Sequence, residues 1–519
     1  MKLRNIFNAV LVVKTGRLKQ YFIILVVFCL TLESIGQCDQ ICSSCLPAGI
    51  IFTTQAQVDN FQVNYPNCTT TQGSVTIAGG NSITNLNGLS VLTSIGGSLD
   101  ISQNYVLTSL TGLNNLTSVG GHVSIGNFNA MTDLTGLNNL ASVGGYLVII
   151  NNDALTSLSG LNSLTYLGDY IYISSNDALT SLSGLSGLTT VNTDLEVSWN
   201  QSLVSLSGLG NLTSVTGYVK ISFNPSLVNL TGLEGLTHPG GISLNANPAL
   251  TSLTGLNNVT SVAGNITINV HDALTSISAL NQLTSIGGGI LIRYNPVLGS
   301  LSGLDNLATI GGDLSIDVGN DTLSSLTGLD NLTSVGGNVR IWWLPALSSI
   351  SGLHNITYIG KELSIIGNGM LTDLTGLENL DGSSMTGFTI RNNANLSNCA
   401  VESICEYLAG PKGCVINTNA TGCNSIQEVK DACALTEIDE MSQESLFQVS
   451  PNPATTNIMI KTTLKGSLLL INPGGQVVLH KNIGEPAVSI SLGSLPAGVY
   501  MVKLVADKSV EVKRVIKLH

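Results

Sequence analysis

Charge is scarce in this sequence. Of 519 residues only 10% are Asp, Glu, Lys or Arg, and aromatic residues make up 5%. A net charge of -12 without basic runs argues against nucleic acid, whose phosphates need clustered Lys and Arg. Cysteine is missing from the whole middle of the chain. Cys38, Cys42, Cys45 and Cys68 precede that gap, and Cys399, Cys405, Cys414, Cys423 and Cys433 follow it. Signatures of catalysis are missing too. There is no G-x-S-x-G, no H-E-x-x-H, no phosphate-binding loop and no EF-hand loop, so no catalytic residue, cofactor or metal site is expected.

Long apolar runs are confined to YFIILVVFCLTL, Tyr21 to Leu32. The run follows Lys2, Arg4, Lys14, Arg17 and Lys19 and is followed by small residues near Gly36, the layout of a secretory signal. It is too short for a comfortable transmembrane helix. Residues 1–36 are therefore read as a signal peptide, and no stable membrane span is expected in the mature protein. Export makes the flanking cysteines disulfides that lock two caps, at 37–79 and 399–433. Loss of Cys29 with the signal leaves an odd count, hence one unpaired thiol or one bridge to another chain.

What is abundant is one sentence, LTSLTGLNNLTSVGG at Leu107 to Gly121, repeated with small edits. Its Gly recurs at Gly88, Gly112, Gly136, Gly160, Gly184, Gly208, Gly232, Gly255, Ala279, Gly303, Gly328, Gly352 and Gly376. Steps of 24 residues, with one of 23 and one of 25, mean thirteen turns of a solenoid over 80–398. Leu107, Leu110, Leu113, Leu116 and Val119 lie three apart, after which Val123 and Ile125 alternate. The Thr, Ser, Gly and Asn between them are poor helix formers. The alternating pair predicts a short strand with two inward side chains, and the threefold stretch predicts tight 3₁₀-like or extended corners. Eight residues before each ruler Gly most turns carry an Asn, such as Asn104, Asn152, Asn176 and Asn200, which predicts a structural ladder bonding neighbouring backbone. Phe128, His271 and Leu344 interrupt that ladder, and their turns are expected to be looser.

The run Leu147-Val148-Ile149-Ile150-Asn151-Asn152-Asp153-Ala154-Leu155 resembles leucine-rich repeats. The cadence Ile95-Gly96-Gly97-Ser98-Leu99-Asp100-Ile101 is more similar to their receptor L-domain relatives. The resemblance implies a mainly β, right-handed parallel β solenoid of about thirteen turns. It implies little about function, since such solenoids serve many partners.

After an acidic linker at 434–445 the composition changes, and 446–519 reads as a small β-sandwich. Ser450-Pro451-Asn452-Pro453, then Ala497-Gly498-Val499-Tyr500-Met501-Val502-Lys503, then Lys513-Arg514-Val515-Ile516-Lys517 resemble, in order and place, the type A sorting domain of the type IX secretion system of Bacteroidetes. That resemblance makes Pro451, Asn452, Pro453, Gly498, Tyr500, Lys513 and Lys517 the sorting signal and the secretion machinery a partner. It implies release or attachment at the outer-membrane surface.

Function is then expected in the letters that break the repeat. One patch on the outward sheet face is Tyr146, Tyr170, Tyr172, Asp194, Glu196, Tyr218 and Lys220; a second is Arg293, Asp313, Asp317, Arg340 and Trp342. Aromatic planes beside hydrogen-bonding groups suit a glycan or a surface protein. The bland alternative is stacking and ion pairing that merely brace neighbouring strands. These readings predict a non-catalytic, secreted or surface binding and adhesion protein. Two other classes compete with it: a polysaccharide-acting β-helix enzyme, and an ice-binding solenoid built on Thr108, Thr132, Thr156 and Thr180, a ladder that lapses at Val204, Val228 and Gly299.

Overall fold

Inward aliphatic pairs at a fixed period can be buried only if each turn lays its strand beside the strand of the turn before. The computed structural model, which describes residues 44–441, 447–472, 476–506 and 509–518, shows that arrangement. The expected signal peptide and Cys38 and Cys42 lie outside the described residues. A parallel sheet of sixteen strands runs from Ile50–Phe52 to Cys414–Asn417 in an order that follows the chain. Leu147 pairs with Val123 on one side and Ile171 on the other, and Ile149 with Ile125 and Ile173. Like therefore stacks on like, with both columns fully buried. At about 4.8 Å per strand the sheet is about 70 Å long.

The sheet outruns the thirteen turns counted in the repeats. Ile50–Phe52 and Val75–Ile77 precede them and Cys414–Asn417 follows, all within the segments read as caps. Those segments lack the ruler Gly but keep the inward pair, so the ladder continues through them. The ends are closed by short helices that replace the usual corner. Near the N-terminus, helix Gln55–Asp59 carries a capping box between Thr54 and Gln57 and buries Val58, while Phe61 of the next helix meets Phe52 at 5.8 Å. Near the other end, helix Glu402–Ala409 buries Ile404 and Tyr407, the latter 5.6 Å from Phe388. Disulfides join Cys45 to Cys68 and Cys399 to Cys423, and Cys405 and Cys433 are also disulfide-bonded. A helix over Ile426–Met441 extends into the stretch expected as linker.

Corners follow from two residue types. At Gly160 φ is +115°, and a Cβ there would strike the Leu134 carbonyl of the preceding turn, so the ruler position wants glycine. Ala279 is accommodated because its turn adopts the 3₁₀ helix Ser278–Leu280, with the Ala buried. A second set of two-residue strands, such as Ser118–Val119 on Ser142–Val143, lines another side of each turn.

The Asn ladder is as the sequence suggests. Asn200 Oδ1 accepts from the Asn176 backbone N–H at 3.1 Å, and its Nδ2 donates to the Ile173 and Ser198 carbonyls. One side chain thus bonds backbone groups of two turns at a buried corner. The interrupted turns are no looser at this corner. Phe128 and Leu344 are fully buried, and their N–H groups donate to Asn152 and Asn368 of the next turn. What is missing there is the rung's own side chain, both its Nδ2 donors and the oxygen that would accept from the turn before.

The terminal module is described by itself. Gln448–Ser450, Asn457–Lys461 and Ala487–Ser491 form one antiparallel sheet; Val477–Ile483, Gly466–Ile471, Gly498–Ala506 and Ser509–Lys517 form a second in that order. Phe447, Ile458, Ile460, Leu468, Leu470, Tyr500, Val502, Leu504 and Val515 share one core, which makes the module the expected small β-sandwich.

Candidate functional site

Because successive strand residues face opposite ways, each turn offers the outward face three side chains flanking its inward pair. About half are Ser, Thr, Gly or Asn. Most of the aromatic and charged exceptions fall into two groups.

In the first, the rings of His122, Tyr146 and Tyr170 form a continuous stack, with centroids 4.3 and 4.7 Å apart on successive turns. Both faces of Tyr146 are thereby used within the protein. Tyr170 ends the stack and, with Tyr172, Asp194 and Glu196, walls a hollow of about 260 Å³. Lys220 Nζ lies 2.6 Å from Asp194 Oδ2. Burial would raise Asp194, but the Lys220 hydrogen bond and the Tyr218 backbone N–H outweigh it and hold the carboxyl below its usual range. The Tyr218 ring lies over Gly241, where a Cβ would strike it. The bracing expected of such residues accounts for much of this group.

The second group assembles into something larger. Arg293, Asp313, Asp317, Arg340 and Trp342, scattered over fifty residues of sequence, line a single hollow of about 530 Å³ floored by Thr267, Leu291 and Ser315. Gly289 and Ser315 leave the space; the long side chains of later turns wall it. Arg340 donates to Asp313 at 2.7 Å, and Asn338 donates to the same carboxylate from both backbone and side chain. Burial pushes Asp313 up, and these hydrogen bonds more than reverse it, keeping the carboxylate ionised. Asp317 goes the other way. Burial raises it, offset only in part by the Ser315 hydroxyl and by Arg293 and Arg340, and its Oδ1 is buried with no hydrogen-bond partner. Arg293 is steadied by Asn269, which accepts from its Nε at 3.1 Å. Trp342 donates from Nε1 to Ser364 at 2.9 Å, which fixes the plane of the indole.

The structure adds residues that reading inward and outward columns missed. In most turns the residue before the ladder position has a positive φ: Gln103, Asn127, Asn151 and Ser175 among them, but also Trp199, Phe223, Val270, Tyr294 and Trp343. For bulky or β-branched residues this conformation costs about 1–2 kcal/mol. All five are exposed, and Trp199 stacks on Phe223 at 4.1 Å. Trp343 lies over Gly367 and joins Trp342 in walling a neighbouring hollow of about 390 Å³. The available signal was positional: an aromatic residue where Asn, Ser or Gly would sit without strain.

In the terminal module the sorting residues are tied together. Asn452, between Pro451 and Pro453, donates from Nδ2 to the Arg514 carbonyl and accepts from the Ile516 N–H. Gly498 pairs with Lys517 across the last hairpin, and Tyr500 donates to the Pro496 carbonyl from a buried ring. Lys513 lies 3.5 Å from Glu511, with its ammonium 5.4 Å from the Phe447 ring. The three short motifs are thus parts of one folded edge.

Residues 448–518 match the family of secretion system C-terminal sorting domains. No curated protein matches the chain. The sorting domain sends the protein through type IX secretion to the cell surface or the extracellular space, and among the described residues no helix is long and apolar enough to cross a membrane.

Proposed function

We propose that this exported chain is a non-catalytic binding and adhesion protein whose outward sheet face contacts a glycan or a surface protein. One observation carries the reading. The residues that break an otherwise almost uncharged repeat in its later turns meet in one hollow, with an indole already fixed at its wall. Preorganised aromatic and guanidinium groups are what binding surfaces enrich. Kinship with leucine-rich-repeat and receptor L-domain proteins is part of the same reading and rests on cadence.

One observation favours an enzyme. Two carboxyl groups of one hollow, Asp313 and Asp317, are shifted in opposite directions, a pattern that acid and base pairs share. Against it, Asp313 is occupied by Arg340 and Asn338, and one oxygen of Asp317 is buried. Against ice binding, the Thr ladder is short, and within it the Thr156 hydroxyl is already engaged, donating to the Thr132 carbonyl.

The test is a screen of the mature chain against arrayed glycans and surface-protein extracts, repeated with Trp342→Ala and with Tyr170→Ala plus Tyr172→Ala. A specific signal lost in Trp342→Ala at unchanged melting temperature is expected. A signal that survives in both variants would put the contact elsewhere.

A further inference from the structure

Between residues 44 and 441 there are only three arginines, Arg293, Arg340 and Arg391. All three project from the outward face of the sixteen-stranded sheet, in a regular order. The strands Ile290–Arg293, Leu314–Ile316, Val339–Trp342, Glu362–Ile366 and Gly387–Arg391 are consecutive neighbours. The arginines therefore stand on the first, third and fifth of them, on strands about 10 Å apart at each step, with Arg340, paired with Ser315 and Ser364, two residues back along its strand from the position of the other two.

Within that span Trp342 pairs in register with Ile366, and Ile366 with Arg391. Arg293 follows Ile292, which lies in register with Ile316 and, one strand on, Ile341, the residue before Trp342. Arg293, Trp342 and Arg391 consequently share one column, with the indole midway. The hollow of about 530 Å³ opens beside Arg293, and the one of about 390 Å³ opens beside Arg391, with Trp342 lining both.

The acidic neighbours do not cancel these charges equally. Asp313 engages Arg340 through one nitrogen, leaving the other guanidinium N–H groups available. Glu362 accepts from Thr389. Among the described residues no carboxylate lies within ion-pair distance of Arg293 or Arg391, although Asp317 stands near enough to Arg293 to feel its charge. An arginine with no carboxylate in direct contact, held through Nε by Asn269 as Arg293 is, keeps its two terminal nitrogens for a carboxylate.

Resting on the reading that this face binds ligand, we propose that it binds a linear polysaccharide carrying one carboxylate per disaccharide, laid along the solenoid axis from Arg293 to Arg391. Two strand spacings match the advance of a disaccharide in an extended β-linked chain. One carboxylate meets Arg293, the next meets Arg340 while its sugar ring packs on Trp342, and the third meets Arg391. A protein partner would present no such repeat, and duplex DNA carries charge far more densely than one per step of this size.

Hyaluronan oligosaccharides, whose carboxylates alternate, are the probe, with neutral cello-oligosaccharides and duplex DNA as controls, measured by calorimetry on the intact mature chain. Affinity should rise from the disaccharide to the hexasaccharide and then level off. Arg293→Gln and Arg391→Gln should each weaken hexasaccharide binding about tenfold without changing the melting temperature. Tyr166→Ala, on a short strand of another side of the solenoid, should bind as the parent does. Equal binding of the neutral chain, indifference to both Gln substitutions, or tighter binding of DNA would overturn the proposal. Capture of a neutral glycan or a surface protein that still depends on Trp342 would overturn it too, yet leave the broader reading of the face standing.

Discussion

His271 is the one ladder residue with a titratable side chain. It is fully buried, its Nδ1 takes the place of an amide oxygen toward the Asn247 N–H at 3.3 Å, and its Nε2 has no hydrogen-bond partner. Burial lowers its pKa to about 4, against 6.5 for the unperturbed ring. With the folded value depressed, the unfolded chain binds the extra proton first. The neutral ring's contribution is complete above pH 6.5 and is lost as pH falls toward 4, by about 3 kcal/mol at most. His271→Asn, which restores a rung, should remove that loss, so its melting temperature should exceed that of the parent by more at pH 4.5 than at pH 7. An equal difference at both pH values would contradict this account of the residue. At the residue scale the sequence was informative about side chains that repeat and silent about backbone sign. Asn104 and Asn200 were readable as ladder because they recur; Trp199 and Trp343 were not readable as strained, because hydrophobic pattern carries no information on φ.

The unit of stability is the turn with its neighbour. A strand of four residues with two inward side chains is no stable element alone, but each Asn rung, each ruler Gly and each strand register binds one turn to the next. Replacing Asn200 by Ala would orphan the buried Asn176 N–H, at a cost of about 1–3 kcal/mol. Urea unfolding should show that loss, and Asn115→Ala, at an exposed corner, should lose much less. Elements were legible where the period held. They were less so at the ends, where Ile50–Phe52 and Cys414–Asn417 continue the sheet without the ruler Gly, and where helices stand in for corners. The grouping of Arg293 with Trp342 could be anticipated because strand register follows from a fixed period; the hollow between them depended on the sizes of side chains in four turns at once.

At the scale of the whole molecule, a long neutral scaffold presents a few charged and aromatic residues on one face, and a terminal module delivers it outside the cell. Deleting 446–519 should leave the solenoid folded and trap it in the periplasm, as immunoblots of fractionated cells would show; continued export would contradict the role of the module. The central claim is that the outward sheet face of the later turns is the contact surface. Oxidative footprinting of the mature protein, with and without the ligand recovered from the screen, tests it most directly. Trp342 and Trp343 should be protected by ligand, while Tyr166 and Tyr358, exposed on the short strands of another side, should oxidise at unchanged rates. Protection of those tyrosines with Trp342 unchanged would contradict the account.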